Sequence, residues 1–311
     1  MPLRITSQNA FETSVNNLQR RQQDLEAAQN RLTSGKRVAT ASDDPVAAAR
    51  AERALASMVR SEANQRALEA SRNVMQQAES ALGDAGELLQ QARELMLNAG
   101  NGSYDDTNRQ TLANAIKGIR DQLIAVANRG DGNGGYLFGG QGTAQPPFVD
   151  GTTGVTYQGP GGETTVASEE QLPLTVDGRR AWLEAPNAVA GGPALSVWGV
   201  LDGFINTIQT DGIDGATVKA TVSSGVRDLD AVSNNLLAFR TSAGETLNRT
   251  DRVEDRIAAS KVAAKTERSN AEDLDMVDAV SEFQNKQSGY DAALKSYSMV
   301  QRLSLFQYLS A

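Results

Sequence analysis

Residues 68–99, LEASRNVMQQAESALGDAGELLQQARELMLNA, place a large apolar side chain at every seventh position: Leu68, Met75, Leu82, Leu89 and Met96. Ala78, Ala85, Ala92 and Ala99 follow three positions behind. A strict seven-residue period is the seam of a helix that coils left-handed around a partner helix. Its start is written upstream in Ser42-Asp43-Asp44-Pro45. Asp44 caps the free backbone N–H groups, and Pro45 at the first helical position loses no needed donor. Unbroken from 45 to 98, the helix would be roughly 80 Å long. Gly83 and Gly86 either interrupt it or mark a close backbone contact.

Outward from this stretch the pattern repeats. Leu112, Ile116, Ile119, Leu123 and Val126 form the seam of a next helix, which Asp105 or Asp106 caps and Gly130–Gly135 stops. Two antiparallel helices joined by a short loop are expected. Before the long helix, Phe11, Val15, Leu18, Leu25 and Leu32 make one apolar stripe, with Gln22 in the skipped slot and Thr33-Ser34-Gly35 as its stop. Toward the end of the chain, Leu229, Val232, Leu236 and Phe239 share a face that Val253 and Ile257 extend. After a polar patch at 269–275, Met276, Val280, Phe283, Tyr290, Leu294 and Tyr297 resume the stripe, and Leu303, Leu305, Phe306 and Leu309 close the chain.

The middle differs. Residues 46–145 and 194–311 contain no proline, whereas six prolines fall between Pro146 and Pro193 and twelve glycines between Gly130 and Gly162. Val155-Thr156-Tyr157, Thr164-Thr165-Val166 and Leu172 to Val176 read as short strands, with Gly159–Gly162 as a hairpin connection and Asp177-Gly178 as a second turn. The expected fold is mainly α: an elongated antiparallel coiled-coil or helical-bundle rod with a small inserted β domain at its tip. Residues 1–44 and 271–311 form its terminal coiled-coil domain, 45–135 and 195–270 a helical rod domain, and 136–194 the β insert. Gly134 to Gly140 reads either as a flexible junction between helix and β insert or, through Tyr136, Leu137 and Phe138, as a packed hinge on the outside of the helical domain.

The 311 residues include no cysteine and no histidine. Disulfides, thiol nucleophiles, zinc–thiolate sites and every Ser-His or His-metal arrangement are excluded. A net charge of −8 argues against a general pull toward nucleic acid. No apolar core of a cleaved signal opens the chain and no run approaches a membrane span. That fits a cytoplasmic protein and one exported without a cleaved signal equally well. Ser34-Gly35-Lys36 lacks the spaced glycine and preceding strand of a phosphate loop. Asp131-Gly132-Asn133-Gly134 lacks the later acidic ligands of a calcium loop. No cofactor, metal or catalytic residue is expected.

Both termini carry narrow stripes that isolated helices leave exposed. Residues 1–60 hold nine basic and six acidic side chains, residues 271–311 three and six, so the two ends attract. One reading closes a helical bundle within the chain. The other makes the pair a self-assembly surface of Leu3, Ile5, Phe11, Val15, Leu18, Leu25, Leu32, Met276, Val280, Phe283, Tyr290, Leu294, Tyr297, Leu303, Leu305, Phe306 and Leu309.

Leu32-Thr33-Ser34-Gly35-Lys36-Arg37-Val38 and Ala41-Ser42-Asp43-Asp44-Pro45 resemble the N-terminal signature of the flagellin family, as does Arg4-Ile5-Thr6 its opening. Ala271-Glu272-Asp273 and the Leu-rich ending are similar to its other half. Gly135–Gly140 with Pro147-Phe148, the small β insert and the ending Leu303–Leu309 resemble the family's hook–filament junction branch. The resemblance implies a structural subunit of the bacterial flagellum, without enzyme activity. It would be exported unfolded through the flagellar type III channel with an export chaperone. Its implied partners are copies of itself in a ring, the adjacent hook-associated junction protein and flagellin, with no nucleic acid and no membrane insertion. Its place would be the extracellular hook–filament junction. Some members carry a zinc peptidase in the middle region, which a chain without histidine cannot form. A short flagellin and a non-flagellar signalling coiled coil are the alternatives.

Overall fold

A computed structural model describes residues 2–166 and 171–309, with side chains described for residues 9, 11–165 and 171–299. In chain order the elements are α1 (Pro2–Ser34), α2 (Pro45–Ala99), α3 (Asp106–Ala127), β1 (Phe148–Gly151), β2 (Gly154–Tyr157), β3 (Thr165–Val166), β4 (Leu172–Pro173), α4 (Gly178–Trp182), α5 (Val197–Ile208), α6 (Gly215–Glu272) and α7 (Met276–Leu309). They fall into two compact units, residues 62–258 and residues 1–61 with 259–311.

In the unit of residues 62–258, the seam read from sequence is buried throughout: Met75, Leu82, Leu89 and Met96 are each at most 2% exposed, and Ala78, Ala85, Ala92 and Ala99 fully enclosed. They meet Leu229, Val232 and Leu236 of α6 and Ile116, Ile119 and Leu123 of α3 in one core. Four ion pairs set α2 and α6 antiparallel: Arg72 with Asp251 and with Glu254, Glu79 with Arg240, and Arg93 with Asp230. Helix α2 is unbroken at its glycines. The Arg240 guanidinium lies 3.4 Å from where a Gly83 Cβ would sit, so this glycine makes room for the Glu79–Arg240 pair. Leu68, Leu172, Val253 and Ile257 form a smaller cluster.

The segment between α3 and α5 departs from expectation in its pairing. Strand β1, absent from the sequence reading, pairs antiparallel with β2 through a turn at Gly151–Gly154, and β3 pairs with β4. Gly159–Gly162 therefore connects two separate two-stranded sheets instead of closing a hairpin. Asp177-Gly178 starts a helix: the Asp177 carboxylate accepts the Arg180 N–H and caps α4. Strands this short cannot cover a core. The segment instead sends Phe148, Val176 and Trp182 into the core shared with the helices.

That shared core is where the aromatics gather. Trp182 and Trp198 stack at 5.5 Å, with Phe138 edge-on to Trp182 at 5.5 Å and Phe148 at 5.0 Å from Trp198. Beside them Arg120 of α3 is buried. Its guanidinium donates two 2.7 Å hydrogen bonds to Asp150 of β1 and a 2.5 Å bond to Asp202 of α5. One residue thereby ties three elements. The pair also holds the Asp150 carboxyl below the usual carboxylate range. Asn128, just past α3, both donates to and accepts from the Phe148 backbone, fixing the start of β1.

In the other unit, α1 and α7 lie against each other, joined by the first part of α2 and the last part of α6. Its described buried apolar residues are Ala28, Val38, Ala47, Ala51, Ala54, Ala264, Ala271 and Ala279. Val38 is the single one of these larger than alanine.

Candidate assembly interface

The interface is built from the point where α1 stops. Gly35 takes φ +68°, a conformation glycine adopts without the Cβ penalty, and its N–H returns to Arg31 O at 2.9 Å. The released chain runs against the gap between α6 and α7. Arg37 and Val38 N–H donate to Glu272 O at 2.8 and 3.3 Å, and Leu274 N–H donates to Gly35 O at 3.0 Å. The Arg37 guanidinium donates to Ala271 O at 2.8 Å, and the Lys36 ammonium sits 3.3 Å from the Glu272 carboxylate. Two segments of conspicuous sequence, 32–38 and 271–274, are thus bonded to each other.

Both flanking helices start on an aspartate. Asp44 accepts the N–H groups of Val46 and Ala47 at 3.1 and 3.0 Å, with Pro45 as the first residue of α2. The Ala47 N–H, with Arg37 adding to it, holds the Asp44 carboxyl below its ordinary range. Asp43 turns backward onto the Ala39 and Thr40 N–H groups, bracing the loop. Asp275 accepts the Val277 N–H at 2.9 Å at the start of α7.

Contacts along α1 and α7 show which faces meet. Phe11 and Tyr297 rings lie 5.7 Å apart. Arg21 crosses α7 at Gly289, where a Cβ would come within 2.5 Å of its guanidinium. On α7 the covered positions are Ala279, Phe283, Lys286, Gly289, Tyr290, Ala293 and Tyr297. Val15, Leu18, Leu25 and Leu32 of α1 are half-buried and Phe11 is exposed.

The stripe read from sequence is therefore split on α7. Phe283, Tyr290 and Tyr297 lie on the covered face, whereas Met276, Val280 and Leu294 are exposed, joined by Val277 at 77% and Met299 at 64%. The physical reason is size. Helices that touch through Ala279, Gly289 and Ala293 approach closely, and the large residues one step around the helix are left outside. Ala279, Lys286 and Ala293 recur at seven-residue spacing, a signal present in the sequence but hidden by a search for large side chains. Leu3, Ile5, Leu303, Leu305, Phe306 and Leu309 lie outside the residues whose side chains are described.

Tyr136, Leu137 and Phe138 belong elsewhere. Leu137 and Phe138 are fully buried in the core of the 62–258 unit, not on its outside, and Tyr136 is half-buried. Their backbone is tied on both sides: Leu137 N–H donates to Arg129 O at 3.1 Å, and Val176 N–H to Leu137 O at 3.0 Å. Among the described residues no group of acidic side chains could hold a metal ion, and no helix is long and apolar enough to cross a membrane.

The profile of the bacterial flagellin N-terminal helical region matches residues 5–143, and that of the flagellin C-terminal helical region matches residues 226–309. The chain belongs to the flagellin family. The first matched segment includes the bonded stretch at Gly35 and the second the one at Leu274. Two curated relatives are similar over nearly their whole length. Flagellar hook-associated protein 3 of Salmonella typhimurium is 28% identical, the alignment covering 98% of this chain and 99% of that protein. Its namesake in Escherichia coli is 27% identical over the same shares. Among solved structures, flagellar hook-associated protein-3 from Legionella pneumophila superposes with TM-score 0.62 at 16% identity, covering 70% of this chain and 99% of that one. FlgL of Xanthomonas campestris does so with TM-score 0.60 at 19% identity, covering 70% and 99%. The flagellin-family fold is shared with both.

Proposed function

We propose that this chain is a structural subunit of the bacterial flagellum that joins the hook-associated region to the flagellin filament. Segments 1–44 and 271–311 are its assembly surface. The observation that carries this reading is the exposed apolar face of α7, Met276, Val277, Val280, Leu294 and Met299, in a unit whose described buried apolar residues are alanines and Val38. Such a surface is completed by neighbours. Similarity to two hook-associated proteins over 98% of the chain supports the junction as the place. The neighbours are further copies of this chain in a ring, the adjacent hook-associated protein on one side and flagellin on the other. The chain works outside the cell, reaches the junction unfolded with a chaperone's help, and acts by packing and not by chemistry.

The test is genetic. A strain lacking this chain is expected to shed its filaments into the medium. The wild-type chain should restore attached filaments, and Met276→Asp with Val280→Asp should not. Full-length filaments retained by the deletion strain would overturn the reading. Sustained growth of long filaments from the purified protein would assign it to flagellin itself.

A further inference from the structure

The turn between α2 and α3 carries chemistry that assembly does not use. Asn101-Gly102-Ser103 is exposed, and nothing lies within 4 Å of where a Gly102 Cβ would sit. The Asn101 side-chain carbonyl oxygen accepts two hydrogen bonds from Ser103, from its backbone N–H at 3.2 Å and its hydroxyl at 2.9 Å. Tyr104 N–H returns to the Asn101 backbone carbonyl at 3.1 Å, which holds the turn closed.

We infer that Asn101 is a self-modifying site, where the protein deamidates itself with Ser103 as the positioned donor. The Gly102 backbone nitrogen gives up its proton and bonds to the Asn101 side-chain carbonyl carbon. Charge develops on the oxygen that already faces both Ser103 donors, the arrangement that stabilises a tetrahedral oxyanion. The carbon–nitrogen bond of the amide then breaks, ammonia leaves with the proton, and a succinimide ring remains. Water opens the ring to aspartate or isoaspartate. No oxidant, metal or second protein is consumed. Glycine at the attacking position places no side chain in the way.

A second Asn-Gly pair gives the internal comparison. Asn133-Gly134 is also exposed. There the turn is gathered around Asp131, whose carboxylate accepts the Asn133 and Gly135 N–H groups at 2.7 and 2.9 Å. A carboxylate beside the reacting amide opposes a developing negative charge, and the Asn133 side-chain oxygen has no donor resembling Ser103. In the folded chain Asn101 therefore converts ahead of Asn133. The reaction adds a negative charge to the turn as the molecule ages, and does not depend on the assembly role.

The experiment incubates the purified full chain in mildly alkaline buffer and follows tryptic peptides 94–109 and 130–179 by mass spectrometry, with fragment ions assigning the residue. Asn101 is expected to convert first. Ser103→Ala should slow it by at least about threefold, a solvent-weakened version of losing one oxyanion donor, and leave Asn133 unchanged. Gly102→Ala should slow it by about tenfold, because a Cβ restricts the attacking backbone. In denaturant the lead of Asn101 should shrink. Conversion of Asn133 first, an Asn101 rate indifferent to Ser103→Ala, or no conversion at either site would each overturn the inference.

Discussion

The 62–258 unit and the unit of the two chain ends are both helical and both follow seven-residue seams, yet they bury different things. The first encloses Trp182, Trp198, Phe138, Phe148, Met75 and Leu89. Among its described residues the second encloses alanines and Val38, and leaves Met276, Val277 and Val280 exposed. A seam of large side chains gains roughly 1.5–3 kcal/mol for each one removed from water, whereas an alanine seam gains little beyond close approach. The lesson is that the same periodicity marks self-sufficient packing in one place and packing that wants a neighbour in the other. Side-chain volume along the seam, more than its period, separates the two.

The comparison breaks most visibly in the aromatic core. Trp182→Ala should cost about 3–5 kcal/mol, the range for a large aromatic removed from a packed interior. Urea unfolding followed by far-UV circular dichroism checks it. Because both tryptophans lie in the 62–258 unit, their fluorescence reports that unit alone. In the wild-type chain circular dichroism should therefore begin to change at lower urea than fluorescence. Coincident transitions would show that the two units share one stability and dissolve the contrast.

Arg120→Ala should cost next most, about 2–3 kcal/mol, less than a fully buried pair because Asp150 and Asp202 reach solvent. The sign of its pH dependence follows from Asp150, whose folded carboxyl titrates below its unfolded value. The stabilisation is present above the ordinary carboxylate range and is lost as pH falls through the lowered value. The gap between wild type and variant should narrow in acid. A gap that widens there would reject the clamp.

Gly35→Ala probes the alanine-lined unit. At φ +68° a Cβ costs about 1–2 kcal/mol. Early helix loss by circular dichroism should grow, while the tryptophan transition stays in place. Smallest of all, Val280→Ser should move the stability of the isolated chain by no more than about 0.5 kcal/mol, as for other exposed positions. Its effect belongs to assembly, read as fewer attached filaments per cell.

What could be read from sequence follows the same division. Met75, Leu82, Leu89 and Met96 were legible because one helix carries the whole pattern at constant spacing. The signals at Asp44-Pro45 and Gly35 were legible because a cap and a stop are local chemistry. The aromatic core was not, since Phe138, Phe148, Trp182 and Trp198 come from four places and nothing in their spacing announces a stack. Strand β1 was missed because Phe148–Gly151 is short and carries an aspartate, Asp150, whose reason, Arg120, lies in another element. On α7 the sequence offered two overlapping stripes, and the larger side chains drew attention to the one that is half exposed.

The hydrogen bonds between residues 35–38 and 271–274 have a consequence in time. Lys36 and Glu272 are 236 positions apart, and closing so long a loop costs roughly 5 kcal/mol of chain entropy before any contact repays it. In synthesis Glu272 is added 236 residues after Lys36. Segment 32–38 must therefore wait, its donors bonded to water, until residues 271–274 exist. A grip on residues 271–274 alone would keep those bonds from forming.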